Sequence, residues 1–124
     1  MAGQRLLVVE DELLVALDIE SILNEAGMDV VGPASSAGEA LKLIADSPPD
    51  AALLDANLSG EPIDTVAQAL SERRIPFAYV TGYGRESLPL AHPAPIVPKP
   101  FDAEQLLAAA RRLLAAESGT DSEA

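Results

Sequence analysis

A chain of 124 residues is long enough for one domain around one hydrophobic core and too short for two, and its 48% hydrophobic content lies well outside the disordered regime. A formal net charge of -12 argues against nucleic acid or an anionic membrane as direct partner, because both need a positive footprint. Cysteine is absent, which excludes disulfides, thiolate metal sites and cysteine nucleophiles, and no apolar run approaches a membrane span or a signal-peptide core, so a cytoplasmic protein is expected.

Leu6-Leu7-Val8-Val9 is a continuous apolar run of strand length that stops at Glu10-Asp11-Glu12. A strand buried on both faces shows no alternation, which is how parallel sheets read. The three acids occupy the strand end and the first turn of a helix expected from about Glu12 to Ala26, with Val15, Ile19, Ile22, Leu23 and Ala26 on its apolar stripe and Gly27 as its stop. Val30-Val31 reads as a short second strand ended by Gly32-Pro33. Ser36-Ala37-Gly38-Glu39 has capping-box spacing, and the helix it opens stops before Pro48-Pro49.

Ala51 to Leu54 is a second unbroken apolar run, and it leads straight into Asp55. Glu61-Pro62 is expected to open a third helix that ends at Arg73-Arg74. Phe77 to Thr81 is the fourth strand, followed by Gly82-Tyr83-Gly84 and a proline-rich stretch with Pro89, Pro93, Pro95 and Pro98, which rules out a long regular fourth helix. His92 in that stretch reads as a loop residue. Ile96-Val97 is a minimal fifth strand leading to Lys99-Pro100-Phe101. Asp102-Ala103-Glu104-Gln105 again has capping-box spacing, and Leu106, Leu107, Ala110, Leu113 and Leu114 carry a last amphipathic helix to about Ala116. The domain is therefore placed over residues 1–116, with 117–124 as a flexible acidic tail.

Strand and helix alternating in this way give a single doubly wound α/β domain with a parallel sheet covered on both faces. Right-handed crossovers align the carboxyl ends of the strands along one edge, and Glu10, Asp11, Asp55, Thr81 and Lys99 all fall there. Three converging carboxylates repel: two like charges about 4 Å apart cost on the order of 4 kcal/mol at an effective dielectric of 20. Oxygen ligands without His or Cys favour Mg²⁺ or a similar hard cation. A carboxylate can also act as a nucleophile and form an aspartyl phosphate, whose charge would be met by the metal, Lys99 and a hydroxyl or backbone donor. Gly82 beside Thr81 is expected to leave room above the site.

These separated motifs, Val8-Val9-Glu10-Asp11-Glu12, Leu53-Leu54-Asp55, Val80-Thr81-Gly82 and Lys99-Pro100-Phe101, occur in the order found in response regulator receiver domains, and the chain from Gln4 to about Ala115 resembles that family. The resemblance implies a flavodoxin-like (βα)5 fold with strand order 2-1-3-4-5 and a cis peptide bond before Pro100. It implies Asp55 as phosphoacceptor, Mg²⁺ held by Glu10, Asp11, Asp55 and the Asn57 backbone carbonyl, Thr81 as switch hydroxyl and Lys99 as ligand of the phosphoryl oxygens. Mg²⁺-dependent self-phosphorylation and autodephosphorylation come with it, as does a sensor histidine kinase or histidine phosphotransfer protein as partner.

Two departures stand out. The family usually places Tyr or Phe three residues before the Lys, where this chain has Ile96, and its fourth helix is broken by prolines. The segment Pro76 to Gly84 resembles an atypical subgroup, often stand-alone, with a Phe-Ala-Thr-Gly-Tyr-like motif in which Tyr83 takes the aromatic role. Output is then expected by contact with a downstream protein, with self-association left open. The alternative is a pseudo-receiver adaptor that binds a partner without phosphorylation. A phosphohydrolase with an aspartyl nucleophile is a weaker reading, because it would want a second acid two residues on, where Asn57 stands.

Overall fold

Leu6 to Val9 and Ala51 to Leu54 carry no polar side chain because helices cover both faces of their strands. The computed structural model describes residues 4–58, 63–82 and 92–123, with side chains up to residue 115. Strands β1 (Arg5–Val9), β2 (Asp29–Ala34), β3 (Ala51–Asp55), β4 (Phe77–Thr81) and β5 (Ile96–Pro98) accompany helices α1 (Leu13–Glu25), α2 (Ala37–Asp46), α3 (Asp64–Glu72) and α4 (Ala103–Glu123). The strands form one five-stranded sheet in the expected order β2-β1-β3-β4-β5, and every neighbouring pair is parallel. The expected short or irregular helix between β4 and β5 falls outside the described residues.

Alternation along the strands divides the core in two. Leu7 and Val9 of β1, Leu54 of β3 and Tyr79 of β4 pack with Ile44 of α2 and with Val66 and Leu70 of α3. Leu6, Val8, Leu53 and Val80 face the other way, against Ile19 and Leu23 of α1 and Leu106 and Ala110 of α4. Both expected capping boxes form in some version. Ser36 Oγ accepts the Glu39 N–H at 3.1 Å, while Glu39 Oε1 reaches one residue further back to the Ser35 N–H at 2.9 Å. Asp102 and Gln105 bond reciprocally, at 2.8 and 3.0 Å.

Strand β2 is longer than the sequence suggests. It runs through Gly32-Pro33 to Ala34 instead of stopping at Val31. As the edge strand it tolerates the missing proline N–H, and the register against β1 shifts between Leu7 and Val9. Gly32 is required there, with φ +93 and a hypothetical Cβ only 2.6 Å from the Ala34 nitrogen. Its peptide bond to Pro33 is cis.

The ends of α3 and α4 compare differently with expectation. Helix α3 starts at Asp64, with Ile63 in the N-cap position; the expected opening at Glu61-Pro62 falls outside the described residues. It ends at Glu72 with Arg73 as C-cap, where the sequence places its stop, and Arg74 beyond it adopts a left-handed φ of 59 while the Ile75 N–H reaches the Leu70 carbonyl at 2.9 Å. Helix α4, by contrast, overruns the expected stop at about Ala116 and continues past Gly119 to Glu123. Without a proline to stop it, an established helix propagates readily, and one glycine opposes that by only about 1 kcal/mol. On α1 the buried residues are Ala16, Ile19 and Leu23, leaving Leu13, Leu14 and Leu17 exposed. No helix of the described residues is long and apolar enough to cross a membrane.

Candidate functional site

The alternation that turns Val8 and Leu53 toward α1 and α4 places Glu10 and Asp55 on the same side, just where β1 and β3 end. Among the described residues the buried polar or charged side chains are Glu10, Asp55 and Thr81, at 2%, 3% and 1% exposure, and all three lie at this one edge. Burying two carboxylates side by side is unfavourable unless something compensates. Glu10, Asp11 and Asp55 each offer an oxygen within 4.8 Å of the others. Lys99, carried past the end of β5, sets its Nζ 3.1 Å from Glu10 Oε1 and 4.0 Å from Asp55 Oδ1.

Backbone bonds hold these groups in place. The Asn57 N–H donates to Asp55 Oδ1 at 2.9 Å, and the Glu12 N–H donates to Glu10 Oε2 at 3.2 Å. The Lys99 N–H donates to the Thr81 carbonyl at 2.7 Å, which ties the ends of β4 and β5 together. The Lys99–Pro100 peptide is cis. Gly82 does not need to be small for space: an added Cβ would meet only Lys99 Cβ, at an ordinary 3.8 Å.

Electrostatics follow from this geometry. Burial, reinforced by the negative charge of Asp55, pushes the Glu10 carboxyl up from 4.5 to about 7, although Lys99 pulls the other way. Asp55 is also raised, because burial outweighs the Asn57 N–H, Glu10 and Lys99. Lys99 is raised despite its burial, since Glu10, Asp55 and Glu12 favour its charged form. Among the described residues the Lys99 ammonium therefore faces more negative charge than it can neutralise. Glu10 Oε1 is buried without an aligned hydrogen-bond donor, its approach to Lys99 being an ion pair only. An under-satisfied carboxylate oxygen among all-oxygen ligands suits a hard divalent cation, and the cluster has the capacity to coordinate one.

Glu10, Asp11, Asp55, Thr81 and Lys99 thus come to one edge, as the sequence suggests, while Tyr83 falls outside the described residues. Asn57 is exposed on the turn after β3. The sequence reading missed Glu12, seen there only as a helix-start acid. Its Oε1 lies 3.3 Å from Lys99 Nζ. The available signal was its position two residues beyond Glu10. Tyr79, read simply as a strand residue, is fully buried and donates its hydroxyl to the His92 carbonyl at 2.7 Å.

Sheet order and acidic edge together define a doubly wound α/β protein with a cation-competent carboxylate cluster at the carboxyl ends of its central strands. The chain belongs to the response regulator receiver domain family, whose model matches residues 6–111. It is 32% identical over 101 residues to the phyllosphere-induced regulator PhyR of Methylorubrum extorquens, an overlap of 77% of this chain and 38% of that protein. Against the transcriptional regulatory protein PdtaR of Mycobacterium tuberculosis it is 30% identical over 86 residues, or 68% of this chain and 42% of that one. The crystal structure of the response regulator PhyR from Brucella abortus superposes with a TM-score of 0.84 at 33% identity, covering 97% of this chain and 51% of that one. The chain therefore spans about half or less of the length of these three relatives.

Proposed function

We propose that this chain receives a phosphoryl group on Asp55 from a sensor histidine kinase or histidine phosphotransfer protein and signals through contact with a downstream protein. The observation that carries the reading is Asp55 itself: a buried carboxylate at the end of β3, clustered with Glu10 and Asp11 and 4.0 Å from an ammonium. Such a group has no structural reason to be there, since a buried carboxylate destabilises the fold that contains it.

In the step proposed, an Asp55 carboxylate oxygen attacks phosphorus in line with the leaving group. The P–N bond of a phosphohistidine breaks, its electron pair stays on the imidazole, and an acyl phosphate remains on Asp55. Lys99 and the Thr81 hydroxyl are the donors for the phosphoryl oxygens. Glu10, Asp11, Asp55 and the Asn57 carbonyl would hold Mg²⁺, which when bound would offset the negative charge on the oxygens of the transferred group. The Asn57 N–H fixes the orientation of the Asp55 carboxylate before the donor arrives.

The finer assignment is to the atypical Phe-Ala-Thr-Gly-Tyr-like receivers, with Tyr83 as switch aromatic. It is supported by Ile96 in place of the usual aromatic and by the aromatic on the adjacent strand, Tyr79, which pairs in register with Ile96. Intact-mass measurement after incubation with acetyl phosphate and Mg²⁺ tests the phosphoacceptor: the wild-type chain gains one phosphoryl group and Asp55→Asn gains none. Equal labelling of the variant would remove Asp55 from this role, and no labelling of either would favour the pseudo-receiver.

A further inference from the structure

We propose that Glu12 is a positioning residue for Lys99, a carboxylate at the mouth of the pocket that competes with the phosphoryl group for the ammonium; this rests on Asp55 being the phosphoacceptor. Glu12 stands at the N-cap position of α1, yet its side chain makes no capping hydrogen bond. Ser, Thr, Asp and Asn fill that position best because their short side chains fold back onto the first turn. Here the longer side chain reaches across 87 residues of sequence, and Glu12 Oε1 accepts a hydrogen bond from Lys99 Nζ at 3.3 Å.

The result is an off-centre ammonium. Lys99 Nζ lies 3.1 Å from Glu10 and 3.3 Å from Glu12 but 4.0 Å from Asp55, the group whose new charge it would have to meet. The Lys99 side chain is 19% exposed and that of Glu12 66% exposed, so Glu12 holds the solvent side of the ammonium while Glu10 holds the buried side. A cation shared between two carboxylates presents a weaker field to a third anion. Engagement of the phosphoryl group requires Lys99 to turn inward and loosen its bond to Glu12. Glu12 therefore lowers the affinity of the pocket for a phosphoryl-like anion, and removing its charge raises it.

The probe is beryllofluoride with Mg²⁺, titrated into the full chain and followed by backbone amide resonances. Glu12→Gln binds it about two- to fivefold more tightly than wild type, the range spanned by exposed ion pairs. In a Lys99→Met background the same substitution changes nothing, because the group through which it acts is gone. Asp18→Asn, which removes an equal charge from the exposed side of the same helix, leaves the affinity at the wild-type value. Unchanged affinity in Glu12→Gln, an equal gain in Asp18→Asn, or a gain that persists in Lys99→Met would each overturn the role of Glu12 while leaving Asp55 in place. Failure of the wild type to bind, or undiminished binding by Asp55→Asn, would overturn the phosphoacceptor and this proposal together.

Discussion

At the amino edge of the sheet Arg5 is matched on every side. Its guanidinium donates to the Pro48 carbonyl at 2.8 Å, to the Ser47 carbonyl at 3.2 Å and to the Ser47 hydroxyl, and its backbone N–H donates to Asp50 Oδ2 at 2.8 Å. At the carboxyl edge of the same strands Glu10, Asp11 and Asp55 cluster beside the Lys99 ammonium, and among the described residues one buried Glu10 oxygen has no aligned donor. The apolar strands between them are equally buried. Polar groups thus act in opposite directions on one fold: the amino edge is satisfied and stabilises it, while the carboxyl edge is under-satisfied and has the capacity to coordinate a cation.

The largest expected effect concerns the divalent cation. Mg²⁺ bound only by the native state adds RT ln(1 + [L]/Kd), about 2.7 kcal/mol at 100 times Kd, or roughly 10 °C in Tm for a domain of this size. Asp11→Ala is expected to be more stable than wild type without the metal and to lose most of the Mg²⁺ response. Melting in Mg²⁺ and Na⁺ at matched ionic strength checks this, and equal shifts in the two salts would reduce the effect to screening of a chain of net charge -12.

Next comes pH. Glu10 in the folded chain holds its proton up to about 7, against 4.5 ordinarily, and Asp55 is displaced in the same direction. The folded state therefore binds protons more tightly than the unfolded chain. The contribution is fully present below the unfolded value and is lost as pH rises through about 7, so metal-free stability falls by on the order of 2 kcal/mol between about pH 4.5 and pH 7.5. Glu10→Gln flattens that slope in urea melts. A metal-free stability that rises over the same interval would mean that this edge is better satisfied than its geometry indicates.

A smaller change tests the amino edge. Arg5→Ala is expected to destabilise by about 1.5 kcal/mol through loss of its bonds to the Ser47 and Pro48 carbonyls, equally with and without Mg²⁺. A loss that depended on Mg²⁺ would show that the two edges are coupled through the strands. Smallest is Arg74→Gly. A non-glycine residue at φ 59 is strained there, and glycine at this helix end is expected to stabilise by about 0.5–1 kcal/mol in the same melts.

What could be read from the sequence was whatever local pattern determines. Leu6 to Val9 and Ala51 to Leu54 could hardly be anything but doubly covered strands, and Asp55 and Thr81 end their strands while Glu10 and Lys99 directly follow theirs, so their convergence needed only the handedness of the crossovers. The Glu12–Lys99 bond depended on a side-chain choice between capping and reaching, which no spacing encodes. Gly32-Pro33 looked like a strand end because proline usually is one; the edge position that permits it is a property of the sheet order. Helix α4 passed Gly119 because propagation depends on what precedes a residue as well as on the residue itself. The exposed Leu13, Leu14 and Leu17 share a helix with the buried stripe, and only packing shows which leucines it takes.

Tyr79 has a use in the laboratory that follows from its burial. Its hydroxyl is bonded to the His92 carbonyl, and burial, aided by the negative charge of Asp64, pushes its ionisation up to about 12. The chain contains no tryptophan and only two tyrosines. In alkaline solution the phenolate band of Tyr79 therefore stays silent while β4 is sealed and emerges as that strand opens, so that ordinary ultraviolet absorbance reports the opening of β4 without any attached dye.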